Sequence, residues 1–219
     1  MKRNFSKRPC FYYITGPDGI GKSTQTELLV AYLKSQGIRC ERLWLRFPFF
    51  FSIPFLAYAR LWGFSWHEVN GEINNGYWDF SCSWVMRKLF PWFLFIDATL
   101  AAAAKIYLPL LMRKSIVCER FVLDMLVDLW IAIQDPSVSE HLPGRLFINL
   151  IPDNSKIVVL DLDQDTICNR RPGLVLDHAL ASRLEVYRLL ANHLKLPIID
   201  NHQSISMVFQ EILKTISVV

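Results

Sequence analysis

The chain has 219 residues, 52% hydrophobic and 20% charged, with a formal net charge of +4. That is enough chain and apolar content for one large α/β domain with a full core, and the modest positive charge suits a small anionic substrate without requiring nucleic acid. The five cysteines (Cys10, Cys40, Cys82, Cys118 and Cys168) form no C-x-x-C pair, which argues against a zinc site or a disulfide framework and for a reducing, cytoplasmic setting.

In chain order, residues 1–9 are basic but lead directly into a strand, so no secretory signal is expected. Residues 10–15 are apolar, aromatic and β-branched, which predicts a buried strand. Residues 16–24 read Gly-Pro-Asp-Gly-Ile-Gly-Lys-Ser-Thr and fit the phosphate-binding pattern G-x-x-x-x-G-K-[ST]. Each residue type has a task there. Gly16, Gly19 and Gly21 let the backbone curl so that amides point inward at phosphate oxygens. Lys22 carries a mobile positive charge to the terminal phosphates, and the Ser23 hydroxyl is a hard oxygen suited to Mg²⁺. Leu28, Leu29, Tyr32 and Leu33 then recur at helical spacing, with Gly37 as a stop, so that a helix aims its positive end at the loop.

Residues 38–45 predict a second strand. The composition then shifts: residues 44–95 hold 18 of the 29 aromatic residues and six of the seven tryptophans. This stretch is expected as a helical insertion, packed on the core or on a second subunit, with a peripheral membrane contact or an apolar-substrate pocket as the other readings. Residues 89–112 are apolar but interrupted by Pro91, Asp97, Lys105 and Pro109, so no spanning helix is expected. Residues 67–76 read as a polar loop, with His67 at the surface.

Residues 115–118 predict a short strand ending in Glu119-Arg120, followed by a helix over 121–134 that is apolar except at Asp124 and Asp128. These two carboxylates share one helix face and suit either sugar hydroxyls or a solvated stripe. Residues 156–162 predict a strand. Asp163 is a cap for the helix that follows, and Arg170-Arg171-Pro172-Gly173 must break it. A helix over 176–194, a strand over 196–200 and a helix over 204–216 complete the chain. Alternating strands and helices predict a parallel sheet with right-handed crossovers.

The phosphate loop, the Glu-Arg pair after a later strand and the Leu-Asp-Leu strand leading to paired arginines together resemble the thymidylate kinase family of nucleoside monophosphate kinases. The resemblance covers residues 11–45 and 115–219 and is weak across the aromatic middle. It implies a P-loop NTPase fold with a five-stranded parallel sheet of order 2-3-1-4-5, an insertion over about 44–100 and a short lid over about 170–178. It also implies ATP and Mg²⁺ as cofactors, dTMP as the acceptor, a cytoplasmic enzyme and a homodimer.

Carried over residue by residue, the resemblance places ATP on Gly16, Asp18, Gly19, Ile20, Gly21, Lys22, Ser23 and Thr24, and the metal near Ser23 and Glu119. The acceptor falls to Asp18, Arg46, Phe95, Arg120 and Asp124. Catalysis falls to Lys22, Glu119, Arg120, Arg170 and Arg171. Leu45-Arg46-Phe47-Pro48 is similar to the family's Thr-Arg-Glu-Pro without the acid. With Gly19 in the loop and arginines at the lid, the chain looks like the variant whose lid supplies the cations.

Two departures concern the acceptor. The arginine that reads thymine in the family is absent from the comparable stretch, residues 93–99, and the family's serine on the helix after Asp-Arg is replaced by Asp124. Asp97, Asp124 and Asp128 are then the polar groups available to read it. Glu-Arg also occurs in deoxyribonucleoside kinases, so another phosphorylated or hydroxylated acceptor stays open. So does an ATP-binding interaction protein. A guanine-reading Asn-Lys-x-Asp is not found. Arg183 and Arg188 are expected at the surface, with a lid-partner role open.

Overall fold

A computed structural model of the chain describes residues 9–47, 49–70 and 73–218; the basic residues 1–8 and Pro48 of the Arg46 motif lie outside it. The strands are β1 (Phe11–Thr15), β2 (Cys40–Trp44), β3 (Ser65–Asn70), β4 (Ile73–Trp78), β5 (Ser115–Glu119), β6 (Ser155–Asp161) and β7 (Ile198–Asp200). The helices are α1 (Lys22–Ser35), α2 (Ile53–Leu61), α3 (Trp84–Lys88), α4 (Phe90–Ala102), α5 (Leu108–Leu111), α6 (Val122–Ile133), α7 (Leu142–Asn149), α8 (Gln164–Arg170), α9 (Leu180–His193) and α10 (Ile205–Val218).

Five parallel strands form one sheet in the order β2-β5-β1-β6-β7. Counted in chain order within that sheet this is the expected 2-3-1-4-5, with β1 central. All five residues of β1 are buried, because both faces of the sheet are covered. The period of two splits them between two cores: Phe11 and Tyr13 enter one with α4 and α6, while Tyr12 and Ile14 enter the other with α1 and α10.

The insertion differs from its sequence reading in two ways. Residues 67–76 are not a loop: β3 and β4 pair antiparallel, with Ser65 opposite Trp78 and His67 opposite Gly76. The strands carry no clean apolar alternation because the face bearing Ser65, His67, Gly76 and Trp78 lines a cavity, with only Trp78 of these four also packing on the core. The prolines also fail to break the long helix. Pro91 sits in the first turn of α4, where no intrahelical N–H is required, and a π-helical turn at Ala103–Tyr107 carries the helix unbroken into α5 just before Pro109. Helix α7 lies in residues 135–154, where no element is expected from the sequence pattern.

Candidate active site

The phosphate loop joins β1 to α1 at the carboxyl end of the sheet, where ligands bind in open α/β folds. A Cβ on Gly16 would lie 2.6 Å from the Leu160 carbonyl of β6, and one on Gly19 would lie 2.7 Å from Leu174; both glycines also have positive φ. Helix α1 starts at Lys22 with no side-chain cap and no acid in its first turn. Its first amides are therefore left for an external anion. Ser23 and Thr24 are exposed at this helix start, and buried Ile20 is held by its carbonyl, which accepts from Asn201 Nδ2.

Lys22 is 4% exposed, and its Nζ donates to the carbonyls of Gly16 (2.7 Å) and Pro17 (2.6 Å). Burial lowers its pKa to about 8, although the nearby carboxylates of Asp124 and Glu119 act in the opposite direction. The lysine ammonium is thus held by two neutral acceptors, which phosphate oxygens could replace as its partners.

Glu119 closes β5 and is 4% exposed. Its Oε1 accepts from Ser23 Oγ at 2.7 Å, and its Oε2 accepts from Arg42 at 2.9 Å. A hydroxyl and a carboxylate at the helix start are the hard oxygen donors that Mg²⁺ takes alongside phosphate and water, so the donor set fits that ion. No group of three or more His, Cys, Asp or Glu able to hold a metal occurs among the described residues, which leaves the remaining positions to phosphate and water.

Arg120 has a φ of 68°, an uncommon conformation for a residue with a Cβ, and is 5% exposed. It pairs with Asp18 of the loop and lies 3.4 Å from Asp124 Oδ1. Arg46 lies 3.4 Å from Asp18 and 3.0 Å from Asp128. Asp18, Arg46, Arg171, Asp177 and Arg183 line a polar cavity of about 320 Å³ beside the loop. A more apolar cavity of about 380 Å³ shares Arg46, Gly76 and Arg183 with it and adds Phe47, Phe49, Tyr77, Trp78 and Asp128. The Nε atoms of Arg46 and Arg183 are buried without a hydrogen-bond partner.

Several expectations are corrected by this geometry. Asp124 is not free to read an acceptor: it is 1% exposed, and its carboxylate accepts from Tyr13 Oη (2.6 Å), Thr15 Oγ1 (2.9 Å), the Phe121 amide (3.0 Å) and Tyr187 Oη (2.7 Å). Burial, reinforced by the Asp124 charge, holds both tyrosine hydroxyls well above their ordinary pKa, so they stay donors. Asp97 is likewise spent, on the amides of Phe50, Phe51 and Ser52. Phe95 packs edge-on against Phe147 of α7 and lines neither cavity.

The two lid arginines separate. Arg171 lines the polar cavity, whereas Arg170 donates to the Asn201 carbonyl at 3.0 Å. Between them and α9, Pro172–Leu176 form a 3-10 turn that places Leu174 against Gly19. Arg183 is not a plain surface residue: it bridges Asp177 (2.5 Å) and Asp128 (3.6 Å) inside the site, while Arg188 is bound to Asp161. Sequence reasoning missed Arg42, Tyr77, Asp177 and Asn201, none of which stands in a motif.

No protein-family model and no curated protein sequence matches the chain. Among solved structures, thymidylate kinase from Ehrlichia chaffeensis superposes with a TM-score of 0.53 at 17% identity, over 94% of this chain and 98% of that one. What the likeness establishes is the fold, an α/β architecture of the P-loop kinase type with a five-stranded parallel sheet.

Proposed function

We propose that the protein is an ATP- and Mg²⁺-dependent kinase that transfers a phosphoryl group to a nucleoside monophosphate, with dTMP as the first acceptor to test. The observation that carries this reading is the adjacency of two anion sites. The uncapped start of α1 with Lys22 belongs to the same loop as Asp18, and Arg46, Arg171 and Arg183 line a polar cavity with Asp18 beside that loop. A donor phosphate and an acceptor phosphate need such a pair of neighbouring cradles.

Phosphoryl transfer asks for positioning and charge neutralisation more than covalent help. The α1 amides and Lys22 hold the donor phosphates. Arg46, Arg183 and, once released from Asp18, Arg120 orient the acceptor, with Phe47 and Trp78 offering apolar faces to its base. Arg171 brings charge from the lid, taking the part for which Gly19 leaves the loop without a cation. Ser23 and Glu119 would hold Mg²⁺, which when bound neutralises phosphate charge. Closure of the 170–178 segment excludes water.

A second reading is phosphorylation of a deoxyribonucleoside hydroxyl, favoured by Glu119-Arg120 at the end of β5. The test is to incubate the protein with ATP, Mg²⁺ and a panel of nucleosides and nucleoside monophosphates, following ADP and the mass of each acceptor. Phosphorylated monophosphates, abolished by Lys22→Ala, are expected. Phosphorylated nucleosides would move the assignment to the second reading. ATP binding with no acceptor turned over would overturn both.

A further inference from the structure

Among the described residues, one helical run, Trp84–Leu111, is long and apolar enough to cross a membrane by length and composition, yet only 28% of its most apolar stretch is buried. Its buried face is regular: Phe90, Leu94, Ala98, Ala102 and Ile106, four residues apart, are all 0% exposed against the core. The opposite side is apolar as well. Ile96 (41%), Leu100 (55%), Tyr107 (37%) and Leu111 (81%) stand in water at helical spacing. Asp97 holds the amides of Phe50 and Phe51 and so fixes those two exposed rings, 68% and 45%, beside the middle of this run.

The exposed charges carried by this run itself have one sign, and the acid that meets its edge is the exposed Asp153 near Tyr107. Asp97 is the sole acid in residues 84–113, and it is 2% exposed. Arg87 and Lys88 lie at one end, Lys105 near the other and Arg113 just beyond it, all exposed.

We propose that this face is a peripheral docking surface for an anionic lipid bilayer, with the helix lying in the interface plane. An apolar stripe with Trp, Tyr and Phe at its borders and cations at its ends is what such a surface requires. Anionic headgroups supply the charge that the face lacks. A second copy of this chain does so poorly, since a two-fold contact would set the same four cations against each other with Asp153 alone near the run to meet them. Spanning is opposed by the core face of the helix and by the Asp97 hydrogen bonds, which hydrocarbon could not accommodate.

The test uses the full chain and two kinds of vesicle, phosphatidylcholine alone and phosphatidylcholine with phosphatidylglycerol. Cosedimentation with the anionic vesicles only, falling as salt rises, is expected. Leu100→Glu with Leu111→Glu, both at exposed positions, should abolish it while circular dichroism stays unchanged. Arg87→Gln, Lys88→Gln and Lys105→Gln together should weaken partitioning about 100-fold, at roughly fivefold per cation. The proposal is overturned by absence of binding to either vesicle, by equal binding to both, or by association that resists alkaline carbonate, the sign of a spanning helix. A dimer in light scattering that the double Glu variant dissociates, without vesicle binding, would assign the face to a second copy instead.

Discussion

Asp124→Asn separates a scaffolding role from a substrate-reading one. The substitution is nearly isosteric but turns one carboxylate oxygen into a donor. On the Oδ2 side that donor would meet Tyr13, Thr15 and the Phe121 amide; on the Oδ1 side it would meet Tyr187 and Arg120. The less damaging rotamer sacrifices the Oδ1 side, and Arg120 keeps Asp18 as a partner. Each buried polar group left unmatched costs about 1–3 kcal/mol, and breaking one side of a buried pair costs about 3–5 kcal/mol, so a loss of about 2–5 kcal/mol is expected. For a chain of this size that lowers Tm by about 4–20 °C, at roughly 2–4 °C per kcal/mol. The assay is thermal unfolding, with urea unfolding to check that the m-value is unchanged, beside the same measurements on Asp128→Asn. Asp128 lines the more apolar cavity, where it pairs with Arg46 at 3.0 Å and more loosely with Arg183 at 3.6 Å, so its substitution should change acceptor use far more than Tm. A Tm for Asp124→Asn within about 1 °C of the parent, together with lost acceptor affinity, would refute the scaffolding argument.

Lys22→Ala should leave the fold intact and lower turnover roughly 10²-fold or more, because the ammonium acts on charge that develops during transfer; near-normal turnover would count against a P-loop kinase. With the Lys22 pKa at about 8, the protonated form that grips phosphate prevails below that pH and is lost as pH rises through it. Equilibrium ATP affinity should therefore fall above about pH 8, by at most tenfold per pH unit, and Lys22→Arg should flatten the profile. Arg171→Ala should lower kcat more than it weakens ATP binding, whereas Arg170→Ala, which loses a bond to the Asn201 carbonyl, should change ATP binding and kcat together; identical kinetics for the two would undo their distinction.

Much of the architecture and the backbone geometry of the glycine loop were legible in the sequence because local rules decide them. The residue order 10–24 fixes a buried strand, a glycine turn and a helix start in immediate succession, and the turn needs positive φ at Gly16, Gly19 and Gly21. Asp163 was read as a cap, and its Oδ1 accepts from the Thr166 amide at 2.8 Å. The β3–β4 hairpin was not legible, since polar residues facing a cavity erase the alternation that marks a strand.

The arginine–carboxylate cavity beside the loop depends on contacts far apart in the chain. Whether a carboxylate binds a ligand or braces the core is set by the donors that surround it, and spacing along a helix does not carry that information. Asp124 and Asp128 share one face of α6, yet Tyr13, 111 residues away, claims the first, and Arg46, 82 residues away, turns the second into the cavity wall. Local pattern was enough for the phosphate loop and the parallel sheet, because short-range backbone geometry and hydrophobic period specify them. Only the tertiary structure decided which acids are free, which arginines converge, and that the aromatic insertion turns one apolar face to the core and the other to its surroundings, because desolvation and hydrogen-bond competition act between residues that the fold alone brings together.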